Sequence, residues 1–138
     1  MATIQGQSTT NASSISQKAA IAALNGPETD VQKMNAAFKE RHDFFVAGLN
    51  ALPGFSCLPA SGTFYAFVDV HQAMQQLGFR DDNAFAEFIL AEALVAGVAG
   101  SGFGAPGFFR IAYCVDKEMI VNSLPSWREL AKEAGINK

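Results

Sequence analysis

The stretch GSGFGAPGFFRIAYC, residues Gly100 to Cys114, decides the fold, because a glycine-rich loop in it leads into alternating apolar residues. Gly102, Gly104 and Gly107 match the G-x-G-x-x-G pattern of dinucleotide-binding loops. That function requires a helix to begin at the glycines, since the N–H groups of a helix N-terminus bind the phosphates. Residues 108–115 instead alternate in a way that is typical of a β-strand. We therefore expect a loop followed by a strand, and no dinucleotide site.

Arg110 lies inside this predicted strand, between Phe109 and Ile111 and just after the loop of small residues. An arginine in such an apolar setting needs an anionic partner. Its planar guanidinium can donate two parallel hydrogen bonds to one carboxylate. Two interpretations stay open on the residues alone. Arg110 binds the carboxylate of a ligand, with the glycines keeping side chains out of its approach path, or it forms a salt bridge with an internal Asp or Glu.

Length and composition predict one domain without a nucleic-acid or membrane partner. A chain of 138 residues can bury a single core, and its formal net charge of −3 comes with no basic stripe or arm. Cys57 and Cys114 lie in apolar runs without metal-ligand spacing, which predicts two reduced core cysteines and no metal site. No export signal or membrane-spanning run is evident in the sequence, so we expect a cytoplasmic protein.

Start and stop signals along the chain predict helices that alternate with a few strands. Helices are expected over residues 15–24, 28–52 and 72–77, from Asp81 or Asp82 to about Val95, and from Asp116 onward with Pro125 kinking or dividing the last one. Strands are expected over residues 55–58, 63–70 and 108–115, with the first two forming a hairpin. This order predicts an α/β (α+β) fold, in which a small sheet of about three to four strands is covered by helices.

The helix predicted over residues 15–24 lacks a polar face, because Ala19 to Leu24 are all apolar. A helix on the surface of a monomer normally has one. We expect this helix to need neighbours on more than one side.

Other polar residues give weaker signals. Glu40, His42 and Asp43 are adjacent on a predicted helix, where neighbouring positions do not converge on one point, so we interpret them as a solvated face. His71 follows a strand and is expected to have a capping or surface role. Asp69, within that strand, is either structural or a partner for an arginine.

Four segments, in their order and spacing, resemble the C-terminal part of class I aminotransferases, which use pyridoxal phosphate, and most closely the bacterial aspartate aminotransferase branch. They are IQGQSTTNASSISQKAAIAALNGP (4–27), LPGFSCLPASGTFYAF (52–67), GSGFG (100–104) and GFFRIAY (107–113). The resemblance runs from Thr3 to about Gly135, almost the whole chain. It implies the small domain of a fold type I pyridoxal phosphate enzyme.

The resemblance also implies roles for individual residues. Arg110 is similar to the arginine that binds the α-carboxylate of the substrate, which favours the ligand interpretation. Phe64 is a candidate wall of the substrate pocket, with core packing as the alternative. Thr10 and Asn11 resemble a segment that reaches the active site of the neighbouring subunit in family homodimers.

By the same resemblance, residues 1–27 are expected to pack on a missing N-terminal large domain and at the dimer interface, and residues 28–138 to form the small domain. The family's Schiff-base lysine belongs to a serine-lysine segment that precedes the QSTTN region. None of the chain's lysines lies in such a segment: Lys18, Lys33, Lys39, Lys117, Lys132 and Lys138.

Missing too are the family's aspartate for the pyridine nitrogen, its tyrosine for the ring oxygen and its glycine-rich phosphate segment. We therefore expect a fragment that contains no catalytic residue, binds no pyridoxal phosphate and is inactive alone. The intact aminotransferase would act on aspartate or a similar amino acid and on a 2-oxo acid. The alternative is a self-standing α/β module that binds an anion without catalysis.

Overall fold

The structure is a computed structural model that describes residues 2–9 and 11–133. Its helices are α1 (Ala2–Ser8), α2 (Ser14–Leu24), α3 (Thr29–Asn50), α4 (His71–Gln76), α5 (Asp82–Ala93) and α6 (Lys117–Glu133). Its strands are β1 (Ser56–Cys57), β2 (Tyr65–Asp69), β3 (Val98–Ala99) and β4 (Phe108–Ala112). The chain divides into two compact units, Met1–Met34 and Asn35–Lys138. The functional division expected after residue 27 stays a prediction.

The second unit contains an antiparallel sheet in the order β1-β2-β4-β3. β1 and β2 form the predicted hairpin. β2 pairs with β4 along its length, so that Phe67 lies opposite Arg110, and β3 places Val98 opposite Arg110 on the other side. The expectation of an α/β (α+β) fold with three to four strands is confirmed.

One face of this sheet is covered by the helices of the same unit. Because side chains alternate along a strand, Ala66 and Val68 of β2 and Phe109 and Ile111 of β4 all point to that face and are buried. They join a core with residues of α3, α5 and α6: Phe45, Leu49, Phe85, Ile89 and Trp127. The intervening residues, Arg110 among them, lie on the opposite face of the sheet.

Local signals place α5 as predicted. The Asp81 carboxylate accepts hydrogen bonds from the backbone N–H groups of Asn83 and Ala84, which caps the helix N-terminus. Leu94 follows the helix with a left-handed φ of 55°. The short helix predicted over residues 72–77 is also confirmed, as α4.

Two expectations about the C-terminal third are wrong. Of the two alternatives for Pro125, division of the last helix is wrong, because α6 is one continuous helix that contains it, and a kink stays a prediction. Burial of Ile120, Leu124 and Trp127 holds this helix against the core and outweighs the hydrogen bond that proline cannot donate. Cys114 is exposed, since β4 ends at Ala112 and Cys114 lies beyond the sheet.

Cys57 is buried as expected, and its burial raises the pKa of the thiol. The interpretation of a solvated face on α3 is wrong for His42, which is only 9% exposed. Its ring packs against Tyr113 at 5.8 Å between ring centres, and its Nε2 accepts the N–H of Ala60. With Nε2 accepting, Nδ1 donates to Asp43, which stays exposed as predicted.

The first unit contains α1, α2 and the beginning of α3. The predicted helix over residues 15–24 is confirmed as α2, whereas α1 carries no clear start or stop signal and was not predicted. No residue of α1 or α2 is buried, and Ile15 and Leu24 are 81% and 86% exposed. Within the described ranges, no helix has both the length and the hydrophobicity that crossing a membrane requires.

Candidate functional site

Arg110 occupies the middle of β4 on the face of the sheet that the helices leave open. Its cross-strand neighbours on this face are Phe67 of β2 and Val98 of β3. Phe67 is 38% and Val98 43% exposed, and Arg110 itself is half-buried. The guanidinium therefore lies in a setting that a ligand in solution can reach.

Two aromatic rings contact this guanidinium. The Cζ atom of Arg110 lies 4.3 Å from the ring centre of Tyr65 and 4.4 Å from that of Phe103. Such contacts stabilise the positive charge through the electron-rich ring faces and need no N–H hydrogen bond. Among residues 2–9 and 11–133, the Arg110 side chain has no ion pair or hydrogen bond. The internal salt bridge is thus not found in the part of the chain that the structure describes.

The surroundings of Arg110 form an aromatic face, defined here by the residues Tyr65, Phe67, Phe103 and Phe108. Phe67 stacks on Phe108 with ring centres 5.0 Å apart and meets Phe103 edge-on at 6.2 Å. Phe64 lies 4.4 Å from Tyr65 and is 41% exposed, so its alternative role in the core is wrong. Its role as a pocket wall stays a prediction.

The glycine-rich loop connects β3 to β4 beside Arg110. It contains a short 3₁₀ helix, Gly100–Phe103, and then turns through Gly104 and Gly107, with φ values of 73° and 81°. β4 begins directly after Gly107, so no α-helix starts where a dinucleotide phosphate would need one. The prediction of a loop followed by a strand is confirmed, whereas the role of the glycines in keeping the approach to Arg110 clear stays a prediction.

Asp82 binds both ends of this loop, a role that no sequence pattern predicted. Its carboxylate is 4% exposed, and Oδ2 accepts the N–H groups of Ser101 at 2.8 Å and Gly107 at 3.2 Å. The only signal for this role was the second acidic residue of the Asp81-Asp82 pair. One aspartate of the pair caps α5, and the other binds the loop.

Asp69 and His71 stabilise the turn after β2. Asp69 accepts hydrogen bonds from the backbone N–H and the ring Nδ1 of His71, at 3.0 and 2.9 Å, and no arginine contacts it in the described chain. Burial alone would raise the pKa of Asp69, but these bonds hold it below its ordinary value. The structural interpretation of Asp69 is confirmed. His71, exposed at the start of α4, has the local role that was expected.

The predicted subunit contact at Thr10 and Asn11 is described only in part. Thr10 lies outside the described residues. Asn11 is exposed and has a left-handed φ of 65°. Their contact with a neighbouring subunit stays a prediction.

The chain is similar to known aminotransferases. The family model for class I and II aminotransferases matches residues 1–124. The aspartate/prephenate aminotransferase of Nitrosomonas europaea is 43% identical over 124 residues, which cover 86% of this chain and 31% of that protein. The aspartate aminotransferase of Bacillus subtilis is 39% identical over 124 residues, covering 90% of this chain and 32% of that protein.

Solved structures give the same result. The aspartate aminotransferase of Rhizobium meliloti superposes with a TM-score of 0.84 at 34% identity, over 95% of this chain and 34% of that one. The aspartate aminotransferase of Thermotoga maritima superposes with a TM-score of 0.76 at 31% identity, over 92% of this chain and 31% of that one. The chain spans about a third of the length of the relatives it matches.

Proposed function

The chain belongs to the family of class I and II aminotransferases, and on this premise we propose that it is the C-terminal part of such an enzyme and supplies the site for the substrate α-carboxylate. One observation carries the proposal. Arg110 lies on the open face of the sheet, its charge is stabilised by Tyr65 and Phe103, and its guanidinium N–H groups have no acceptor in the described chain. A guanidinium in this state is suited to bind a carboxylate from outside the chain.

The role of Arg110 in the reaction is to orient the substrate. Two parallel hydrogen bonds to one carboxylate fix both the position and the rotation of the bound amino acid. Orienting a reactant in this way lowers the barrier without any proton transfer by the arginine. Phe64, exposed beside Tyr65, is proposed as a wall of the same pocket.

The cofactor implied by the family is pyridoxal phosphate, which supplies an electron sink for the reaction when it is bound. The described residues of this chain do not fit it. Four lysines form ion pairs at the exposed surface with acidic neighbours: Lys33 with Asp30, Lys39 with Asp43, Lys117 with Glu40, and Lys132 with Glu129. Lys18 is exposed. We propose that the cofactor is held by a large domain that this chain does not include.

The intact enzyme is proposed to transfer an amino group between aspartate, or a similar amino acid, and a 2-oxo acid. The support is the naming of the relatives as aspartate and aspartate/prephenate aminotransferases. By family resemblance it is a homodimer in which Thr10 and Asn11 approach the partner's active site. A cytoplasmic location for the intact enzyme is part of this proposal.

The test compares an amino acid with the amine of the same side chain that lacks the α-carboxylate. In the holoenzyme that contains this segment, the native protein should strongly prefer the amino acid, and Arg110→Ala should lose most of that preference. A variant that folds and keeps the preference would refute the carboxylate role. The alternative, a self-standing anion-binding module, would require a polar outer face on α2, which the exposed Ile15 and Leu24 do not provide.

A further inference from the structure

We infer that Phe103 and Asp82 are positioning residues for Arg110: the buried Asp82 carboxylate fixes the glycine-rich loop, and the loop holds the Phe103 ring against the guanidinium. The inference rests on the proposed function of Arg110. It extends that function to two residues of different elements, neither of which needs to touch the substrate.

The two rings that contact Arg110 belong to different elements. Tyr65 belongs to β2, which is paired with β4 along its whole length, so the sheet itself sets the distance from Tyr65 to Arg110. Phe103 instead belongs to the loop and is 49% exposed. Its contact with Arg110, at 4.4 Å, therefore depends on what fixes the loop.

Hydrogen bonds to Asp82 attach the loop to α5. Asp82 accepts the N–H of Ser101, two residues before Phe103, and the N–H of Gly107, four residues after it. Both bonds have the same carboxylate as acceptor, and the Asp82 side chain that provides it is buried. Asn83 adds a bond from its amide to the Ser101 hydroxyl at 3.3 Å. The N-terminal turn of α5 thus holds the loop on both sides of Phe103.

Attachment of the loop affects ligand binding through the conformational freedom of the Arg110 side chain. A free arginine side chain has many rotamers, and ordering it on binding costs free energy. The Phe103 contact restricts these rotamers before the ligand arrives, while the guanidinium N–H groups stay available. Loss of the ring should therefore weaken carboxylate binding without changing the charge of the site.

The kinetic test uses the holoenzyme with Phe103→Leu, which removes the ring at an exposed position. We expect kcat/KM for the amino acid to fall about 3- to 30-fold, the range of a cation–π contact, with kcat/KM for the matched amine unchanged. Phe103→Tyr keeps an aromatic ring against the guanidinium, so kcat/KM for the amino acid should stay at its native value. Phe44→Leu is the matched control, because Phe44 is a partly exposed phenylalanine on α3.

A second readout follows the side chain itself. In the 138-residue chain, the NMR order parameter of the Arg110 Nε–H should exceed that of the exposed Arg80, and Phe103→Leu should lower it. Asp82→Ala should lower it too, with Asp82→Asn retaining part of the order because its amide oxygen can still accept an N–H. A purely structural role for Asp82 would leave the order of Arg110 unchanged in every variant that folds.

Outcomes separate this inference from the proposed function. If Arg110→Ala loses the amino acid preference while Phe103→Leu behaves like Phe44→Leu in both readouts, the positioning role is wrong and the carboxylate site stands. If Arg110→Ala folds and keeps the preference, the proposed function fails and this inference fails with it. A selective loss for the amino acid in Phe103→Leu, with reduced Arg110 order, supports the inference.

Discussion

At the scale of single residues, Arg110 combines a stabilised charge with available hydrogen-bond donors. The Tyr65 and Phe103 rings stabilise the cation, yet neither ring accepts a strong hydrogen bond from it. Its fork geometry is what a lysine cannot supply. Substrate binding should therefore depend on the shape of the guanidinium group as well as on its positive charge.

Arg110→Lys should remain strongly impaired in the holoenzyme, and Arg110→Ala should be worse. Removing one partner of a charged hydrogen-bonded pair costs about 2–5 kcal/mol, which corresponds to roughly 30-fold to several-thousand-fold in kcat/KM. Both variants should still bind pyridoxal phosphate, because the role proposed for this side chain is to bind the substrate carboxylate and not the cofactor. Steady-state kinetics with aspartate, alongside cofactor absorbance, measures both effects. Native-like kcat/KM in Arg110→Lys would mean that charge alone suffices.

Gly107 is a second residue with a specific requirement. Its φ is 81°, and a Cβ added there would lie 2.1 Å from Nε2 of His71. Gly107→Ala should lower the free energy of unfolding by about 1–2 kcal/mol through backbone strain, because the exposed His71 ring can move away from the added methyl group. Gly102→Ala is the matched control, since a Cβ there meets nothing within 4 Å, and should change stability by less than about 0.5 kcal/mol. Urea denaturation of both variants makes the comparison, and equal midpoints would show that the His71 turn accommodates a methyl group.

The role of a residue could be predicted where it depends on positions nearby in the sequence. The importance of Arg110 followed from a charge in an apolar strand and from the family resemblance. The burial of His42 could not be predicted, because it depends on Tyr113 and Ala60, which are distant in sequence. Asp82 was missed for the same reason: its acceptor role exists only once the loop folds back onto α5.

At the scale of elements, α2 is a helix with an unusually exposed apolar surface. None of its residues is buried, and Ile15, Ile21 and Leu24 are all more than half exposed. Apolar surface of this kind normally marks a contact with another protein surface. We propose that the large domain and the dimer interface cover it in the intact enzyme.

The isolated chain should consequently associate or bind a hydrophobic dye. Leu24→Lys places a charge at an 86% exposed apolar position near the C-terminus of α2 and should reduce the association. Ser16→Lys adds the same charge at an exposed polar position of the same helix and should have little effect. Light scattering across a concentration series measures the difference. A monomer that binds no dye would show that α2 does not act as an interface.

The elements themselves were largely predictable, because caps, glycines and alternation are local signals. The N-cap at Asp81 and the hairpin of β1 and β2 followed from such signals. The end of β4 at Ala112 and the continuity of α6 through Pro125 did not. Packing decides both features. β4 ends opposite the first residue of its partner strand β2, and burial of one side of α6 outweighs the hydrogen bond that Pro125 cannot donate.

At the scale of the whole molecule, the sequence determines a sheet with one face covered by helices and one open face that carries the charged side chain of Arg110. The covered face provides the core, and the open face carries Arg110 with its aromatic neighbours. The chain spans about a third of the length of its relatives, and its described lysines do not form a cofactor site. Substrate binding and cofactor chemistry are therefore proposed to reside in different parts of the enzyme.

This separation predicts that the chain alone forms no specific Schiff base with pyridoxal phosphate and catalyses no amino transfer. A lysine nucleophile is activated by a desolvated pocket or an adjacent cation. Lys33, Lys39, Lys117 and Lys132 are instead exposed beside carboxylates, and Lys18 is exposed in α2. Absorbance spectra of the chain mixed with the cofactor should show mainly free cofactor, with a weak Schiff-base signal that arises from several lysines.

Single Lys→Ala variants provide the control for that spectrum, with the holoenzyme as the positive reference. Because the expected reaction is spread over several exposed lysines, no one variant should remove more than its share of the signal. A stable Schiff-base band that one Lys→Ala change abolishes would mean that the chain contains its own cofactor site. In that case the proposal that a separate domain holds the cofactor would be wrong, although the carboxylate test on Arg110 could still succeed. The two experiments therefore judge the substrate site and the cofactor site independently.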